Sequence, residues 1–95
     1  MNYTTQQVSD PITLALSYLA SADDHGESAR TSRDLAETEF AEGRARNGRE
    51  ASSLAGRFRE CERLDLQRAK AHAEVAQAQA LASIADSLAR LALAQ

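Results

Sequence analysis

Pro11 is the only proline in this chain, so nothing beyond it removes a helical N–H or forces a ring against the preceding turn. The residues that follow suit that freedom. Ala, Leu, Glu, Gln and Arg dominate, while β-branched and aromatic side chains are scarce, a bias that favours helix over strand. The chain therefore reads as all-α: a short first helix, then long helices forming an antiparallel hairpin or a coiled-coil-like bundle. Asp10-Pro11 reads as an N-cap followed by proline at the first helical position, where its missing N–H costs nothing. Residues 1–9 are polar and unpatterned and read as a flexible arm. Residues 10–95 make one small helical domain, with helices expected over about 11–22, 28–47 and 50–94.

The expected breaks come from local turn chemistry. Asp23-Asp24-His25-Gly26 is expected to end the first helix, with Gly26 in a left-handed terminal position and Ser28 capping the next. Asn47-Gly48 is the strongest breaker in mid-chain. However, Ala36, Phe40, Gly43, Asn47, Ala51, Leu54, Phe58 and Cys61 would fall within about 80° of one another on a straight helix. Either the chain turns at Asn47-Gly48, or one long helix continues through it. The helical cost of Asn-Gly favours the turn.

Charge distribution points the same way. Residues 1–42 carry two basic and eight acidic groups, residues 43–70 eight basic and four acidic, and residues 71–95 one basic and two acidic. An acidic arm beside a basic arm suits antiparallel packing, within one chain or between two. Arg30/Asp34, Arg33/Glu37, Glu42/Arg46 and Arg46/Glu50 are further opposite charges at helical spacing.

Three sets of apolar residues are expected to make contacts. Ile12, Leu16 and Leu19 dock the first helix. Phe40, Leu54, Phe58 and Cys61 form the hairpin seam. Leu81, Ile84, Leu88 and Leu91, spaced 3-4-3, put four large side chains on one stripe of an Ala-rich helix, the pattern one helix uses to grip another. That stripe lies beyond the reach of a hairpin partner and on another side of the helix from Leu54, Phe58 and Cys61. Two apolar faces imply two contacts, so self-association is expected, most simply as a dimer. With no Trp and few other aromatics, an Ala-rich hairpin buries little area, and association would offset that.

Chemistry-bearing patterns are sparse. Cys61 and His72 share a helix face but lie about 16 Å apart, and two ligands do not make a metal site. Glu-x-x-His is absent, because Ala69 precedes His72 by three. No nucleophile, base and orienting group converge, so neither an enzyme nor a cofactor protein is expected. The arginine-rich segment Arg44–Lys70 suits phosphate contacts and makes a small nucleic-acid-associated regulator the alternative reading. Against it, Glu50, Glu60, Glu62 and Asp65 interrupt the basic residues and the whole chain is acidic, net −3.

No apolar run approaches the roughly 20 residues of a membrane span. Ile12–Leu19 followed by Ala20-Ser21-Ala22 imitates a signal peptide, but residues 1–10 hold Asp10 and no Lys or Arg, so an uncleaved chain is expected. A single cysteine fits a reducing cytoplasm. The excess of arginine over lysine, with heavy alanine usage, suggests a GC-rich bacterial or phage gene. The expectation is a small interaction protein that binds itself and an unidentified partner protein, such as a host or regulatory protein, by helix-in-groove contact.

Overall fold

The computed structural model describes residues 10–94. Among the described residues there are two helices, α1, Pro11–Ala41, and α2, Ala45–Ala94, of 31 and 50 residues, packed side by side as a hairpin. The Asp10 carboxylate caps α1, accepting from the Thr13 N–H and the Thr13 hydroxyl, both at 2.9 Å. These two bonds, the backbone one first, hold its pKa below the ordinary carboxylate value.

The reversal sits at Glu42-Gly43-Arg44, not at Asn47-Gly48. Gly43 takes φ +80°, the left-handed conformation that only glycine adopts at little cost. The Gly43 N–H donates to the Phe40 carbonyl at 3.1 Å and the Arg44 N–H to the Glu39 carbonyl at 2.8 Å. This pair of bonds is a Schellman motif, which satisfies carbonyls left open at the end of α1. The Arg44 guanidinium closes the turn further against the Glu39 and Glu42 carboxylates. Asn47-Gly48 belongs instead to the first turn of α2, where the Gly48 N–H donates to the Arg44 carbonyl at 3.0 Å.

The expected helices 11–22 and 28–47 are thus corrected to one helix that ends at Ala41. Asp23-Asp24-His25-Gly26 and Ser28 lie inside it. The single-helix alternative is corrected too, because Gly43 folds the chain back. The long third helix expected over 50–94 begins earlier, at Ala45. The expected arm, residues 1–9, lies outside the described residues.

The seam is built from small side chains at seven-residue intervals. On α1, Ala15, Ala22, Ala29 and Ala36 are all buried, Ala29 to 1% exposure. On α2, Gly48, Ala55, Glu62, Ala69 and Ala76 form one row of buried or half-buried positions, and Ala51, Phe58, Asp65 and His72 form a second. A sustained seven-residue repeat keeps one stripe facing a partner helix, as in a coiled coil. Small residues let the backbones approach closely, and the glycines show how closely. A methyl group at Gly48 would lie 2.8–2.9 Å from three atoms of the Phe40 ring. At Gly26 it would meet the Glu62 carboxylate. Gly48 therefore makes room for an aromatic ring, a role that its Asn-Gly sequence context does not advertise.

This seam replaces the one expected from Phe40, Leu54, Phe58 and Cys61. Phe58 is half-buried, Phe40 covers Gly48 but stays 48% exposed, and Leu54 and Cys61 lie on the outside. Ile12, Leu16 and Leu19 also point outward, at 62%, 61% and 45% exposure, while Ala15 and Ala22 between them dock α1. The reason is steric: a seam close enough to bury alanine excludes Leu and Ile, which are displaced to its flanks.

Candidate interaction surfaces

One polar layer interrupts the alanine seam. Asp65, 5% exposed, projects from α2 toward α1. Its Oδ2 accepts from the Ser21 hydroxyl at 2.8 Å and lies 2.7 Å from His25 Nδ1. The hydrogen bond from Ser21, and then the one from His25, holds the Asp65 carboxyl below its ordinary pKa. Aromatic rings bracket the layer. His25 stacks on Phe58 with centroids 6.2 Å apart, and Tyr18 stacks on His72 at 5.5 Å and 4°. The Arg68 guanidinium lies 5.8 Å from the Tyr18 ring centre, within cation–π range.

Ser, His and Asp are the residue types of a nucleophilic triad, but the order here is different. In a triad the histidine stands between serine and carboxylate and takes the serine proton. Here the carboxylate stands between Ser21 and His25, and Ser21 donates to it directly. The arrangement holds the register of the two helices. Sequence reading passed over it because its partners lie 40 and 44 residues apart. The signal was present in the spacing, since Asp65 is seven residues from both Phe58 and His72.

The second feature is the mismatch between the arms. Contacts of Phe40 with Gly48, Gly26 with Glu62 and Tyr18 with His72 set the antiparallel register. In that register Pro11 lies level with about residue 77, so α2 continues alone for roughly 17 residues, or about 25 Å at 1.5 Å per residue. Every described residue of α2 past Ala76 is exposed. Leu81, Ile84, Leu88 and Leu91, all in this overhang, are 56–61% exposed. The line of the seam does not continue as an apolar row, since it passes through Gln79, Ser83, Asp86 and Arg90, the last two ion-paired at 2.8 Å. The leucine stripe is rotated from that line by about 100° or more.

Three of the eight basic residues in the Arg44–Lys70 segment pair within their own helix. Arg46 pairs with Glu50, Arg59 with Glu62 and Arg63 with Glu60, at 3.5, 3.1 and 2.6 Å. Of the four pairs expected from spacing, Arg46/Glu50 forms among the described residues. No ion pair there joins a Lys or Arg within α2 to a carboxylate of α1, so the acidic and basic arms attract only through their broader fields. Among the described residues no three His, Cys, Asp or Glu side chains are grouped to hold a metal ion, and no helix is long and apolar enough to cross a membrane.

Comparison with known proteins returned no match to any family model, to any curated protein or to any solved structure.

Proposed function

We infer that this chain is a small, non-enzymatic helical interaction module that associates with itself through its overhang. Its work would be done by helix-to-helix contact with a partner protein in the cytoplasm. The supporting observation is the stripe Leu81, Ile84, Leu88 and Leu91, exposed on a helix that has outrun its intrachain partner. An alanine-rich helix with four large aliphatic side chains on one side gains by covering them. The positions that flank the stripe on the helix surface, Ala80 and Ser87 on one side and Ala85 and Ala92 on the other, are small and uncharged and permit close approach.

Light scattering at micromolar concentration tests this reading. The expected result is more than one chain per particle, with Leu88→Glu reduced to a single chain while helix content stays the same. A wild-type protein that runs as one chain would overturn it. A nucleic-acid role for Arg44–Lys70 ranks second, because Arg44, Arg46, Arg59 and Arg63 already have carboxylate partners. It predicts duplex DNA binding that weakens steeply with added salt.

A further inference from the structure

A second apolar patch is exposed at the same end of the hairpin as the overhang. Ile12, Leu16 and Leu19 on α1 are joined there by Leu66 on α2, 47% exposed. In the register set by Gly26–Glu62 and Tyr18–His72, Leu19 and Leu66 flank the seam on the same side. The chain cannot cover this patch with its own overhang, because α2 is one uninterrupted helix running away from it. The spacings of the two apolar sets match. Ile12 and Leu19 are seven residues apart, as are Leu81 and Leu88. If the overhang of a second copy lies parallel to α1, one alignment brings Leu81 to Ile12, Ile84 to Leu16 and Leu88 to Leu19. Continued along the same overhang, it carries Leu91 over Leu66. All eight exposed side chains find partners in a single register.

We propose that the occupant of the Ile12–Leu16–Leu19–Leu66 patch is the Leu81–Leu91 overhang of a second copy, and that the exchange is reciprocal. Each overhang becomes the third helix on the other chain's hairpin. This proposal rests on the self-association reading and adds where the overhang docks. The competing arrangement sets overhang against overhang, antiparallel, pairing Leu81 with Leu91 and Ile84 with Leu88. That arrangement leaves the second patch exposed. Reciprocal docking covers both patches in both chains, so its buried surface approaches the roughly 1,600 Å² of stable specific interfaces.

Cross-linking and solution scattering test the proposal together. In a Cys61→Ser background, chains carrying Leu19→Cys are mixed with chains carrying Leu88→Cys and oxidised. The expected product is a disulfide-linked mixed dimer. Wild-type particles should measure about 100 Å in longest dimension by X-ray scattering, from the helical rise on either side of the shared centre. A dimer of about 130 Å that cross-links through Ile84→Cys and Leu88→Cys instead would overturn reciprocal docking and leave self-association standing. A single-chain wild-type particle would overturn both.

Discussion

At the scale of single residues, the glycines differ in what they do. Gly43 supplies a backbone conformation, Gly48 supplies room for the Phe40 ring, and Gly56 has nothing within 4 Å of the place its Cβ would occupy. Gly56→Ala is therefore expected to stabilise the hairpin by about 0.5–1 kcal/mol through helix propensity alone. Gly48→Ala should destabilise it by about 1 kcal/mol despite the same propensity gain, because the ring must move. Urea denaturation of both variants decides the matter; equal effects would mean that Phe40 yields freely. Asp65 makes a separate prediction. Its carboxyl is held below the ordinary value, so its stabilising effect is full above that range and is lost as pH falls through the folded pKa. Thermal melts from pH 7 to pH 2 should show a loss of stability at the acid end that is smaller in Asp65→Asn. An identical acid limb in the two proteins would show that the Ser21 and His25 bonds contribute nothing measurable.

At the scale of elements, the sequence is legible where local chemistry and tertiary demand agree. Asp10-Pro11 starts α1 as its capping pattern requires, and both described elements are helices, as the composition leads one to expect. It is misleading where the two part. Asn47-Gly48 has the stronger turn composition, yet Gly43 turns the chain, since Arg44 can brace that site against Glu39 and Glu42 while Gly48 must face Phe40. The apolar residues misled for a related reason. Leu and Ile carry the larger transfer energy and draw attention to Ile12, Leu16, Leu19 and Leu54, but the element that packs is the one spaced at sevens. Ala15, Ala22, Ala29 and Ala36 held that pattern in plain view. Enlarging the seam tests its tightness. Ala29→Leu, at 1% exposure, adds buried apolar surface but should still cost about 1–3 kcal/mol by overpacking. A stabilised Ala29→Leu would mean that the helices separate easily and that the alanine spacing does not govern their approach.

At the scale of the molecule, the hairpin is long and thin, 78 × 35 × 12 Å across its Cα atoms, with no large side chain fully buried among the described residues. Stability is therefore spread along the seam, and no central core dominates it. Leu88→Glu falls outside that seam altogether, which is why it should change particle mass without melting the hairpin. Circular dichroism beside light scattering separates the two effects. Because α2 passes from the hairpin into the overhang without a break, the two apolar faces are mechanically one rod, and their relative aim is a matter of phase. One residue added between Ala76 and Leu81 would swing the whole stripe by about 100° and advance it about 1.5 Å. Seven added residues would nearly restore the aim while moving the stripe about 10 Å farther out. Under the proposed self-association, the direction in which the overhang meets a second copy is thus encoded by counting residues, independently of which side chains do the gripping.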